Sequence, residues 1–257
     1  MKIALTGSSG FLGNELLKIL KNKKIDVKCY SLRGREKINS FLRDIKKNEF
    51  NVIINCAASL NPISHNDLYI NKDLPREIQK SLKNITITKF VHISSINVLN
   101  PLLSDTYTLS KKYAEISLDQ NKVIIIRPSL IIDDYYNISN PLFEKLNLFK
   151  KGICPMIYPG NLYAPINIIL LSNYIVNVVI NDNFNTCALN IQGKENLYLW
   201  EIFNKYCKIR NRRAIKINTR FLNFILPRFI KKIFYKSNKF QNLLIIDRKI
   251  YKNIIEI

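Results

Sequence analysis

MKIALTGSSGFLG, residues 1–13, opens with a short apolar run that ends at Thr6, after which Gly7, Gly10 and Gly13 follow in G-x-x-G-x-x-G spacing. Apolar residues at 3–5 predict a strand, and Leu12, Leu16, Leu17 and Leu20 predict an amphipathic helix behind the glycines. A strand that runs straight through such a loop into a helix is suited to holding phosphate. Gly7 permits the tight turn, Gly10 lets a pyrophosphate approach the backbone, and Gly13 lets the helix pack closely on the sheet. Phe11 and Leu12 lend free N–H groups at the positive end of that helix.

Outward from this unit, strand-like runs recur at 26–30, 51–55, 89–94 and 122–127. Helical patterns alternate with them at 11–23, 36–48, 73–83 and 106–120. Strands separated by helices predict parallel pairing through right-handed crossovers. Their nearly continuous apolar character predicts that both sheet faces are covered. The expectation is an α/β, doubly wound parallel sheet of the Rossmann-like kind over residues 1–135. The rhythm breaks after Arg127-Pro128, where Pro141, Pro155, Pro159 and Pro165 punctuate the chain. Residues 136–257 are read as a smaller C-terminal substrate lobe with segments returning to the sheet. Helices are expected at 166–181 and 198–209, and a short strand near 187–191.

With 257 residues the chain is long enough for a full α/β core. The apolar run 166–180 is broken by Asn167, Ser172, Asn173 and Asn177, which argues against a membrane span. No apolar leader precedes the first strand, so a cytoplasmic protein is expected. Five cysteines lie far apart without C-x-x-C spacing, and only two histidines accompany them; neither disulfides nor a metal site is expected. The net charge of +21 reads either as a solvated basic surface or as a surface for nucleic acid or membrane. Basic residues spread along the whole chain favour the first, with no specific nucleic acid as partner. The stretch 210–239, which mixes RNRR and FLNFILPRFIKKIF, leaves open either buried packing or weak peripheral membrane association.

The chemistry-bearing segment follows the fourth strand: VHISSINV at 91–98, then YTLSKKYAE at 107–115. Tyr107 and Lys111 are four apart, one turn along a helix face. A nearby ammonium favours the phenolate, so Lys111 is expected to lower the Tyr107 pKa toward working pH and make it a general acid or base. A hydroxyl at the end of the neighbouring strand, Ser95 with Ser94 as the fallback, can hold the reacting oxygen. Thirteen tyrosines in a Lys-rich chain make a chance Y-x-x-x-K match expected, and Tyr235/Lys239 is read as one.

Taken together, TGSSGFLG, VIINCAA (52–58), FVHISSINV (90–98), YTLSKKYAE and IIIRPS (124–129) resemble the extended branch of the short-chain dehydrogenase/reductase superfamily. The epimerase/dehydratase and dTDP-4-dehydrorhamnose reductase groups are nearest. The resemblance covers about the first 130 residues, with weaker echoes at 164–175, 188–193 and 243–249. It implies that Tyr107 is the proton donor and acceptor, that Lys111 binds the nicotinamide ribose, and that Ser95 orients the substrate oxygen. It further implies that Gly7, Gly10, Phe11, Leu12 and Gly13 cradle the pyrophosphate, that Ala57 and Ala58 line the groove, and that Pro128 sits by the carboxamide. Asn71 matches the family's Val-Asn position, with helix capping as the other reading.

The chain departs from that family in two ways. The Ser95–Tyr107 interval is much shorter, and no acidic residue follows Ser95, which argues for reduction or epimerisation rather than dehydration. At the end of the second strand, where an acid would accept the ribose hydroxyls of NAD, stand Tyr30, Ser31 and Leu32, followed by Arg33 and Arg35. Arginine grips a 2′-phosphate, so NADP is favoured over NAD. The expected function is an NAD(P)-dependent oxidoreductase or epimerase of a nucleotide-sugar serving surface polysaccharide synthesis, with a homodimer as an accompanying expectation. The alternative is a non-catalytic dinucleotide-binding module that senses cofactor or binds RNA.

Overall fold

The computed structural model describes residues 1–47, 50–82, 89–134, 152–158, 160–181, 187–218 and 254–257. In chain order come β1 (Lys2–Thr6), α1 (Phe11–Asn22), β2 (Asp26–Tyr30), α2 (Arg35–Lys46) and β3 (Val52–Asn55). A short helix α3 (His65–Leu68) continues through a π-helical turn (Tyr69–Asp73) into α4 (Leu74–Ser81). Next are β4 (Lys89–Ile93), a 3₁₀ turn (Ile96–Leu99), α5 (Thr106–Ser117) and β5 (Ile124–Pro128). The remainder holds β6 (Ile131–Ile132), β7 (Ile153–Tyr158), β8 (Leu162–Tyr163), β9 (Ile166–Asn167) and α6 (Ile168–Ile180). It closes with β10 (Ala188–Gln192), β11 (Leu197–Tyr198), α7 (Leu199–Ile209), β12 (Arg213–Asn218) and β13 (Ile254–Glu256).

Seven strands form one sheet in the order β13-β10-β5-β4-β3-β1-β2, and every pairing in it is parallel. The doubly wound sheet expected from the alternating pattern is therefore present. Its two faces follow from the two-residue period of strands. Ile3, Leu5, Val52, Ile54, Val91, Ile93, Ile124 and Ile126 point to one side, where α1 and α6 cover them with Leu16, Leu20, Leu171 and Ile175. Ala4, Ile53, Phe90 and Ile125 point to the other, under Ile38, Phe41 and Ile45 of α2 and Leu74 and Ile78 of α4. Outermost β2 is largely exposed, as an edge strand carrying Asp26 and Lys28 should be.

The helix expected from residue 166 begins at Ile168 instead. Asn167 stands at its start and accepts hydrogen bonds from the Ile169 and Leu170 amides at 2.7 and 3.2 Å, while Ile166–Asn167 pairs with β6. The far end of α6 is tied to the sheet by the Lys89 ammonium, which donates to the Val179 and Asn181 carbonyls at 3.2 and 2.7 Å. A small separate cluster of Cys154, Met156, Ile202, Tyr206 and Cys207 packs β7 and α7 together, with β12 parallel to β7. The basic and apolar stretch beyond residue 218, including Tyr235/Lys239 and 243–249, lies outside the described residues.

Leu16 is wholly buried between α1 and the sheet. Replacing it by Ala should lower unfolding free energy by about 2–5 kcal/mol in urea titration, whereas Lys18→Ala on the exposed face should change it by less than about 0.5 kcal/mol.

Candidate active site

Three loops meet at the C-terminal edge of the sheet, and glycine makes their approach possible. Gly7 has φ +71°, and a Cβ there would stand 2.7 Å from the Cys56 carbonyl carbon and the Ala57 nitrogen. The Gly10 amide donates to the Gly7 carbonyl at 2.9 Å, closing the turn. A Cβ on Gly13 would come within 2.1 Å of that same carbonyl oxygen. Helix α1 then starts at Gly10 with no side chain capping it and no acid in its first turn. Its leading amides, those of Phe11 and Leu12 among them, keep their positive character for an anion. Phe11 is half-buried and Leu12 is buried beneath the helix.

Under this turn runs a row of polar side chains that the sequence reading missed. Thr6, Asn55 and His92 occupy directly paired positions on β1, β3 and β4. The Thr6 hydroxyl donates to Asn55 Oδ1 at 2.7 Å, and Asn55 Nδ2 donates to His92 Nδ1 at 3.2 Å. All three are fully buried. With Nδ1 accepting, the imidazole proton is assigned to Nε2, and burial, reinforced by the Lys111 charge, holds the ring neutral well below its ordinary pKa. The signal was present: β1 and β3 end in a polar residue, and β4 carries one at its next-to-last position, where the two-residue pattern calls for an apolar one.

Helix α5 brings up the next group. Asp105 caps it, accepting from the Thr108 amide at 3.0 Å and the Thr108 hydroxyl at 2.6 Å. Lys111, only 1% exposed, donates to the carbonyl of Ile93, the last residue of β4, at 2.8 Å. Burial pulls its pKa down to about 8 against the opposing influence of Cys56 and Glu115. Half-buried Tyr107 stands in the first turn of the same helix. Its phenol is not lowered as expected. Burial first, then Asp105 and Cys56, push it above its ordinary value, and Lys111 is not among the groups acting on it. Lys111 instead directs its ammonium to the β4 carbonyl. Cys56 is the common neighbour, acted on by Lys111, acting on Tyr107, and touching the Gly7 turn.

The two serines have different duties. Ser94 donates a very short hydrogen bond to Glu115 Oε1, and Glu115 is gripped at both oxygens by Arg127, down to 2.6 Å. Ser94 is thus committed to a buried ion pair. Ser95 starts the 3₁₀ turn, where its oxygen accepts the Asn97 amide at 3.3 Å and its own proton meets no acceptor among the described residues.

Asn71 caps no helix. It sits fully buried inside the π-helical turn, where its Oδ1 accepts the Ser59 amide at 2.8 Å. Its Nδ2 donates to the Ser59 carbonyl at 2.8 Å and the Ser110 hydroxyl at 3.1 Å. Ser110 donates in turn to the Tyr107 carbonyl at 2.7 Å. One amide therefore locks the loop after β3 to the helix that carries Tyr107 and Lys111. Ala57 is buried against Gly7, Ala58 is exposed beside it, and Pro128 ends β5. Arg33 is exposed beyond β2 and makes no hydrogen bond or ion pair among the described residues, while Arg35 lies over the Tyr69 ring. Among the described residues no cluster of His, Cys, Asp or Glu could hold a metal ion, and no helix is long and apolar enough to cross a membrane.

No protein-family model and no curated protein matches the sequence. Solved structures do match. A dTDP-glucose 4,6-dehydratase from Bacillus anthracis, in complex with NAD, superposes with a TM-score of 0.70 at 16% identity, over 85% of this chain and 84% of that one. A UDP-glucuronic acid 4-epimerase from Bacillus cereus, in complex with UDP-glucuronic acid and NAD, gives 0.66 at 19% identity over 85% and 86%. A dTDP-4-dehydrorhamnose reductase from Bacillus anthracis, in complex with NADP, gives 0.67 at 17% identity over 85% and 84%. At these identities the likeness establishes that the chain has their fold.

Two substitutions test the framework without reference to activity. Gly13→Ala should destabilise the protein strongly, because the new methyl meets the Gly7 carbonyl rather than a movable side chain. Asn71→Ala should cost about 1–2 kcal/mol by removing the partner of both half-buried Ser59 backbone groups and of the Ser110 hydroxyl. Thermal unfolding followed by circular dichroism reads both.

Proposed function

We propose that this protein is an NAD(P)-dependent oxidoreductase or epimerase acting on a nucleotide-linked sugar, with NADP favoured and surface polysaccharide assembly as its setting. The observation that carries the reading is the junction at Cys56. There the backbone of Cys56 lies against Gly7 of the glycine turn, and its thiol is within electrostatic reach of buried Lys111 and of Tyr107, one turn apart on α5. The substrate class comes from the matched structures, whose named substrates are dTDP- and UDP-sugars.

The glycine turn fits a pyrophosphate, since Gly7, Gly10 and Gly13 contribute no side chains to it and the start of α1 is uncapped. When bound, the nicotinamide supplies or takes up a hydride. Tyr107 hands its proton to the oxygen of the substrate carbonyl, a role that suits a phenol held protonated by burial and by the Asp105 charge. Ser95 donates its free proton to the same oxygen and fixes its place, while Ser94 is excluded by its bond to Glu115. Lys111 presents a positive charge inside the groove and holds the ribose hydroxyls. NADP is favoured because Tyr30, where an acid would stand, turns into the core and donates its hydroxyl to Asp44 at 2.8 Å, leaving no carboxylate at the strand end to repel a phosphate.

The decisive experiment is a panel of nucleotide-sugars with NADH and NADPH, followed by absorbance of the reduced nicotinamide and by product analysis. Tyr107→Phe should lower kcat by about 10²–10⁴-fold with cofactor binding retained. Unchanged turnover in that variant would leave only the dinucleotide-binding module. Ser95→Ala should lower kcat without loss of stability, whereas Ser94→Ala should lower the melting temperature.

Lys111 has a depressed pKa, so its charge is complete below about 8 and disappears as pH rises through that value. The free-enzyme profile of kcat/KM should therefore fall above pH about 8. Lys111→Arg, whose guanidinium stays charged, should lose that limb if it retains turnover.

A further inference from the structure

Tyr69 opens the π-helical turn, its carbonyl accepting the Leu74 amide. Its ring lies under the Arg35 guanidinium, 4.6 Å from the ring centre. Arg35 is the first residue of α2, directly after Gly34 at φ +94°, and no side chain caps that helix start. Arg33 stands two residues before it, exposed and without a partner among the described residues. Strand β2 is the neighbour of β1, so this turn stands beside the glycine turn at the same end of the sheet. A free arginine side chain loses much rotational freedom on gripping an anion. Stacking on an aromatic face removes part of that loss in advance and leaves the in-plane N–H edge for a phosphate. The π-helical turn ties this arrangement to the groove, because Asn71, two residues on, holds the loop after β3.

We propose that Tyr69 is a positioning residue for cofactor choice: its ring holds the Arg35 guanidinium at the β2–α2 turn, so that Arg35 and Arg33 together take the 2′-phosphate of NADP(H). The inference rests on the dinucleotide reading of the site, and it adds a residue that does not itself touch the phosphate.

Fluorescence titration of NADPH and NADH against the full-length protein tests it without any substrate. Tyr69→Leu should raise the Kd for NADPH by about 3- to 10-fold and leave that for NADH unchanged. Tyr69→Phe, which keeps the ring, should retain the wild-type ratio. Arg35→Met should reproduce or exceed the loss, and adding Tyr69→Leu to it should produce no further change. The proposal is overturned if Tyr69→Leu weakens both cofactors alike, or if its effect on NADPH persists in the Arg35→Met background. Should Tyr69→Leu not fold, exposed Arg35→Met alone decides: an unchanged NADPH/NADH ratio sinks the idea. Wild-type protein that binds NADH but not NADPH would refute this proposal alone, whereas failure to bind either would also remove the dinucleotide reading beneath it.

Discussion

Backbone lies directly on backbone where Gly7 meets Cys56 and Ala57, and the geometry of the site descends from that contact. Two parallel strands side by side carry their following loops away from the same edge. Those loops can converge to van der Waals distance only where one has no side chain. Gly13 repeats the device one turn later, letting α1 descend onto the Gly7 carbonyl. Because the first strand, the first helix and the third strand are all committed to this contact, the groove they frame is rigid before any side chain contributes.

Charge is handled at this edge by burial rather than by solvent. Lys111 is enclosed and bonded to a main-chain oxygen, and Arg127 with Glu115 forms a bidentate pair that also engages Ser94 and Asn190. Breaking such a pair from one side leaves an uncompensated ion, so it enforces one arrangement of α5 on the sheet more than it adds to stability. Surface pairs such as Lys18–Glu15 and Lys80–Glu77 do nothing comparable. The high positive charge of the chain thus says little about the site, where one enclosed ammonium matters more than the many solvated ones.

Legibility in the sequence followed the range of the interactions. The first five strands and β10, their parallel pairing and the glycine turn could be read because apolar periodicity and glycine spacing are local signals. Tyr107 and Lys111 were legible for the same reason, being one helical turn apart. What Lys111 bonds to was not legible, since Ile93 is brought to it only by the fold, and neither was the burial that raises the Tyr107 phenol instead of lowering it. Asn71 was visible as a residue but not as a tie, because Ser59 and Ser110 approach it from different elements. The division of labour between Ser94 and Ser95 likewise depends on Glu115, remote in sequence from both.

Strand β10 has β5 on one side and, among the described residues, receives its other neighbour from Ile254–Glu256. During synthesis on the ribosome the rest of the sheet can assemble while that margin still offers a row of unsatisfied amides and carbonyls. The tripeptide strand Ile254–Glu256 covers that margin and becomes the new edge of the sheet, a narrow selvedge beside β10. A nascent chain stalled before residue 254 would therefore still present the β10 margin to wrong pairing and to capture by chaperones.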